Sequence, residues 1–101
     1  MTSILPKEAY EIIGEFITID ARTPDEYKGG HIEGAVNIDV SVPSFAGEIV
    51  KLDKNKKYLV YCNTGNRSFF ASNMMRNSGF NNVFLLEGGI FEWKRNNLPI
   101  V

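Results

Sequence analysis

The residues with the most chemical potential lie in one short run, Cys62-Asn63-Thr64-Gly65-Asn66-Arg67-Ser68. Cys62 is the only cysteine of the chain. A thiolate is a strong nucleophile, and backbone N–H groups or a helix N-terminus stabilise it. The surroundings of this run suit that role. Tyr58, Leu59, Val60 and Tyr61 precede it as a short apolar stretch of high β-propensity. Residues 67–77 follow as a helix, closed by Gly79. Gly65 lets the backbone between them curl. A curled loop would aim the N–H groups of residues 63–68 at the sulfur, forming an anion-binding nest. Arg67, where the loop closes, could fork onto an anionic substrate group or brace the loop carbonyls. A lone cysteine can equally be a small buried hydrophobe. Its place just past a strand end favours the nucleophile.

The elements that must position this loop read as alternating strands and helices. Ser3 and Ile4 suit an edge strand, and Pro6 suits the first turn of a helix over 6–13 that Gly14 ends. Residues 16–20 read as a strand with Asp20 and Arg22 at its C-terminal end. Thr23-Pro24-Asp25-Glu26 is a capping box with proline at the first helical position. Tyr27 anchors that short helix, and Gly29-Gly30 stop it. His31 sits in the following turn as a hydrogen-bonded residue rather than a catalyst. Residues 35–38 are a short strand. Ser41 is placed to cap a helix over 42–50, and 83–86 form another buried strand. Gly88-Gly89 would allow close backbone approach to the cysteine loop before a helix over 90–95. In the helix after the loop, 100° per residue groups Phe70, Ala71, Met74 and Met75 on a core face. Phe69 then points outward, as scattered surface hydrophobicity, a lip of the pocket or a docking contact.

This order implies an α/β fold with a mostly parallel sheet. In such sheets ligands bind outside the carboxyl ends of the strands. Asp20, Cys62 and Glu87 all fall at such ends. The Asp20 and Arg22 pair is either a surface ion pair or a tie between its strand and the cysteine loop.

Composition narrows the function. The 101 residues fit one domain, 1–101. A net charge of −1 offers no argument for nucleic acid or membranes. One cysteine and one histidine exclude a multi-cysteine zinc site, a histidine cluster and an internal disulfide. No metal or cofactor is expected. Gly88-Gly89 make no GxGxxG or Walker pattern, so nucleotide binding has no support. No signal peptide or apolar span is visible, and a cytoplasmic, reducing setting is expected.

Three segments together resemble the rhodanese-like sulfurtransferases in their single-domain form. The first is Asp20-Ala21-Arg22-Thr23-Pro24-Asp25-Glu26-Tyr27 with Gly30-His31-Ile32-Glu33-Gly34-Ala35-Val36-Asn37-Ile38. The second is the cysteine loop. The third is Gly88-Gly89-Ile90-Phe91-Glu92-Trp93. The resemblance implies a five-stranded, mainly parallel sheet flanked by helices on both faces. It implies that Cys62 takes the sulfane sulfur of thiosulfate or a persulfide and passes it to cyanide or a thiol through a Cys62 persulfide. The N–H groups of Asn63, Thr64, Gly65, Asn66, Arg67 and Ser68 would cradle the persulfide and the anionic donor, with Arg67 stabilising the charge. Asp20, Arg22 and His31 would hold the scaffold.

The partners expected are a small anionic donor and an external thiol or protein acceptor, with the protein a monomer or weak dimer. With no second cysteine, no internal disulfide can resolve the persulfide. Two other readings compete. Cysteine phosphatases and arsenate reductases share this scaffold, but the phosphatase loop is one residue longer between cysteine and arginine. The four residues here favour sulfur over a phosphoryl group. A persulfide carrier or interaction module with little free-standing activity is the other, with Phe69 as its candidate contact.

Overall fold

Strand β4 (Lys57–Tyr61) lies at the centre of a five-stranded sheet in the computed structural model, which describes residues 2–101. Its run Tyr58-Leu59-Val60-Tyr61 is buried on both faces, which is why it reads as continuously apolar. β5 (Asn82–Leu86) flanks it on one side and β2 (Ile17–Asp20) on the other. β1 (Thr2–Ile4) and β3 (Val36–Asn37) form the edges, giving the order β1-β5-β4-β2-β3. Every pairing is parallel. Asp20 pairs with Tyr61 in register, so the ends of β2 and β4 meet at one edge.

Side-chain alternation along β4 divides the core into two layers. Tyr58 and Val60 pack with Phe45 and Ile49 of α3 (Phe45–Ile49) and with Ala71 and Met75 of α4 (Asn66–Asn77). Leu59 and Tyr61 pack on the other face with Ala9 of α1 (Pro6–Glu11) and with Ile90 and Trp93 of α5 (Gly89–Arg95). Tyr27 of α2 (Pro24–Lys28) packs against this second layer. The sheet therefore carries helices on both faces, as expected. Among the described residues no helix is long and apolar enough to cross a membrane.

Three local expectations change. The helix over 42–50 begins only at Phe45, and Ser41 does not cap it. Ser41 Oγ instead donates to Asp39 Oδ1 at 2.6 Å. Pro43 disfavours a helical Val42, which delays the start. The first helix ends at Glu11, and a 3₁₀ turn (Ile13–Glu15) carries the chain through Gly14. Phe70 is not a core residue; it is 59% exposed, and Phe69 is 53% exposed. The buried face of α4 is Ser68, Ala71, Ser72 and Met75. The helical period holds, and Ala71 and Met75 are buried with Met74 packed beside them, but the face is rotated away from Phe70 towards Ser68 and Ser72. Serines take the inner positions because their hydroxyls bond locally: Ser68 Oγ to the Gly65 carbonyl at 3.1 Å, Ser72 Oγ to the Phe69 carbonyl at 2.8 Å.

A buried polar knot closes the β2 and β4 ends. Arg22 Nε and Nη2 donate to Asp20 at 2.9 and 2.7 Å, and Nη2 also donates to the Gly30 carbonyl at 2.7 Å. The Tyr61 hydroxyl donates to Asp20 Oδ2 at 2.7 Å and accepts from Ile32 N at 3.1 Å. Burial holds the Tyr61 phenol well above its ordinary value, so it stays a donor. Replacing Tyr61 by Phe strands the buried Ile32 N–H and removes one of the donors to Asp20 Oδ2, which keeps those from Arg22. Tyr61→Phe should cost about 1–3 kcal/mol in urea unfolding; a variant as stable as wild type would show the hydroxyl to be dispensable.

Candidate functional site

Cys62 follows β4 directly, and the chain turns sharply after it. Gly65, at φ 141°, makes the turn and stands as N-cap of α4. That conformation is rare for any residue with a Cβ. The loop thereby curls over the sulfur, and of the N–H groups of residues 63–68 those of Gly65 and Ser68 donate to Cys62 Sγ, at 3.2 and 3.3 Å. Ser68 Oγ lies 3.4 Å from Sγ. A thiol can donate to that hydroxyl while the hydroxyl donates to the Gly65 carbonyl. A thiolate would receive the hydroxyl proton instead. Cys62 is nearly fully buried, and with Asn63, Thr64, Asn66 and Arg67 it lines an open pocket of about 400 Å³. Cys62 is as buried as a small core hydrophobe, but its sulfur also has polar partners.

The loop is braced from two sides. On one, Ile90 N donates to the Cys62 carbonyl at 2.9 Å and Phe91 N to the Asn63 carbonyl at 3.0 Å. Gly89, at φ +64°, permits this approach; a Cβ there would lie 2.6 Å from the Cys62 carbonyl oxygen and also strike the Asn63 carbonyl. On the other side, the Asn63 amide bridges two charged groups. Its Oδ1 accepts from Arg22 Nη1 at 3.3 Å and its Nδ2 donates to Glu26 Oε2 at 2.8 Å. Asp20 and Arg22 thus tie their strand end to the cysteine loop and are no surface pair.

Glu26 is the residue that sequence reasoning missed at this site. It does complete the capping box with Thr23. The same carboxylate also takes both terminal nitrogens of Arg67, Nη1 at 2.7 Å and Nη2 at 2.9 Å. The hydrogen bonds from Arg67, aided by those from Thr23, hold Glu26 down at about 2. Glu26 in turn raises Arg67, with a further push from Cys62. The available signal was that a capping glutamate just after Asp20 and Arg22 must stand on the same sheet edge as Cys62. His31 is the turn residue expected: Nδ1 lies 2.8 Å from the Tyr27 carbonyl and its ring stacks on Tyr27. Glu87 lines a neighbouring cleft with Thr64, Gly65, Phe69 and Gly88. Among the described residues no cluster of three His, Cys, Asp or Glu side chains could hold a metal ion.

A parallel α/β sheet with a cysteine in a curled loop at its carboxyl edge defines a class of cysteine-centred domains. The comparisons narrow the class: a model described as Rhodanese-like domain matches residues 5–96, and the chain belongs to that family. A crystal structure of a rhodanese-related protein from Thermoplasma volcanium superposes with a TM-score of 0.92 at 34% identity, covering 100% of this chain and 98% of that one. A rhodanese-like domain protein from Staphylococcus aureus gives 0.82 at 26% identity, covering 92% and 91%. Among curated proteins, a tRNA uridine(34) hydroxylase of Erwinia tasmaniensis is 36% identical over 85 residues, 80% of this chain and 24% of that protein. A senescence-associated protein of Raphanus sativus is 33% identical over 92 residues, 81% of this chain and 50% of that protein. The chain thus spans between a quarter and a half of the length of these curated relatives.

Two outcomes follow from the bracing. Gly89→Ala should destabilise the fold by about 1–3 kcal/mol, because the added methyl meets backbone atoms that cannot swing aside; thermal melting would show it, and an unchanged midpoint would contradict the close approach. The Glu26 value lies below the ordinary 4.5, so its stabilisation is complete above that pH and lost as pH falls towards about 2. The stability difference between wild type and Glu26→Gln should therefore be flat around neutrality and close over that acid window; urea titrations at stepped pH would test it.

Proposed function

We propose that this domain is a sulfurtransferase in which Cys62 carries the sulfur as a persulfide. The observation that carries the reading is the Cys62 sulfur receiving N–H donors from Gly65 and Ser68, in a buried residue that lines an open pocket. These donors stabilise negative charge on the attacking thiolate and on the persulfide formed from it. The thiolate attacks the outer sulfur of the donor. The donor's S–S bond breaks, a Cys62 S–S bond forms, and the leaving group departs as sulfite from thiosulfate or as a thiolate from a persulfide. A second thiolate then attacks the bound outer sulfur and regenerates Cys62. Two displacements share one covalent intermediate.

The acceptor is a thiol outside this domain, because its 101 residues hold no second cysteine. In this reading Asn63, Thr64, Gly65, Asn66 and Ser68 shape the cradle through their backbone. Arg67 closes it, with its guanidinium engaged by Glu26. That engagement counts against a phosphatase, whose substrate needs a free arginine fork on the phosphoryl oxygens. Four residues between Cys62 and Arg67 point the same way.

The test is intact mass after incubation with thiosulfate or glutathione persulfide. Wild type should gain one sulfur on Cys62, Cys62→Ser should gain none and lose all transfer to cyanide, and an aryl phosphate should not turn over. No gain from either donor, or transfer that survives Cys62→Ser, would overturn the reading.

A further inference from the structure

The charge balance of the Cys62 pocket is unusual for a site that would bind an anion. Arg67 is the one charged side chain among its lining residues Cys62, Asn63, Thr64, Asn66 and Arg67. Both terminal nitrogens of Arg67 are occupied by the Glu26 carboxylate. Glu26 stays ionised at any working pH, and Asp39 adds a second negative field on Arg67. The other cation nearby, Arg22, is spent on Asp20 inside the protein. A donor entering the pocket therefore meets the Cys62 thiolate with no uncompensated positive charge beside it. A dianion would be repelled, whereas a donor of low charge would not.

We propose that Glu26 is a positioning residue that sets the charge of this pocket through Arg67, so that the site takes sulfane sulfur from low-charge donors, such as persulfides on thiol carriers, in preference to the thiosulfate dianion. The donor class rests on the sulfurtransferase reading; the pocket charge does not. Glu26 does not touch the sulfur. It acts by holding the guanidinium in an ion pair and by fixing Asn63 beside it. The surroundings suit a larger, less polar carrier. Phe69 shares the adjoining cleft with Thr64 and Gly65, and Phe91, whose backbone braces the loop, is also exposed.

The test uses the single cysteine as its own probe. Alkylation of the intact protein by iodoacetate and by iodoacetamide, followed by mass, reports Cys62 alone. The two reagents differ mainly in charge, so the ratio of their rates reads the pocket's charge and cancels changes in thiol reactivity. Glu26→Gln keeps a capping-box residue and removes the counter-charge. It should raise the iodoacetate-to-iodoacetamide ratio about three- to tenfold, less at high salt. The ratio of kcat/KM for thiosulfate to that for the monoanion methanethiosulfonate should rise in parallel. Adding Arg67→Met should return both ratios to the wild-type range. Ratios that stay within about twofold of wild type in Glu26→Gln, whether absolute rates fall or not, would overturn the proposal. So would a rise that persists without Arg67. If the alkylation ratio rises while neither donor transfers sulfur, the sulfurtransferase reading fails and takes the donor class with it, while the charge assignment stands.

Discussion

The buried ion pair between Asp20 and Arg22 is the interaction on which the rest of the site depends. Two opposite charges withdrawn from water are tolerated only when every remaining donor and acceptor finds a partner. Here they do. Asp20 takes the Arg22 fork and the Tyr61 hydroxyl, and Arg22 spends its other donors on Gly30 and Asn63. Removing either charge would leave the other stranded, at a cost of about 3–5 kcal/mol. The pair joins the ends of β2 and β4, the turn at residues 30–32 and the first residue of the cysteine loop.

From that knot a continuous polar chain runs outward. Arg22 holds the Asn63 amide, Asn63 holds Glu26, and Glu26 holds Arg67 at the far end of the loop. The capping box of α2 sets the Glu26 position from beneath, through Thr23. The opposite side of the loop is clamped by backbone N–H groups at the start of α5. A loop held at both ends and both sides presents its N–H groups without rearrangement, which is what stabilisation of a charged sulfur requires. Ser68 and Ser72 contribute by being small: they let α4 lie close to the sheet, so that Ser68 N reaches the sulfur.

Much of this was legible in the residues. The unbroken apolar run of β4 announced a strand buried on both faces, and alternating elements announced a parallel sheet. Thr23-Pro24-Asp25-Glu26 marked a helix start by its own local hydrogen bonds. Gly65 and Gly88-Gly89 marked where the backbone must curl or approach closely. The start of α3 was harder, since Pro43 and Asp39 compete with Ser41 over a few residues and the balance is local but fine. On the inner face of α4, Ala71 and Met75 lie where the helical period puts them, but Phe70, the most apolar residue of the expected face, is exposed. The helix turns serines inward instead, and their hydroxyls find acceptors within the same turn.

The sequence by itself determined that one thiol stands at a strand end, before a loop of four residues and an arginine, on an α/β fold. Those properties are local, set by residue type, spacing and backbone freedom. Only the tertiary structure decided what surrounds that thiol. Glu26 and Arg67 lie 41 positions apart, as do Arg22 and Asn63. No period or propensity connects residues at that separation. They meet because β2 and β4 are parallel neighbours whose ends share one edge. That adjacency turns a capping glutamate into the counter-charge of the arginine beside Cys62.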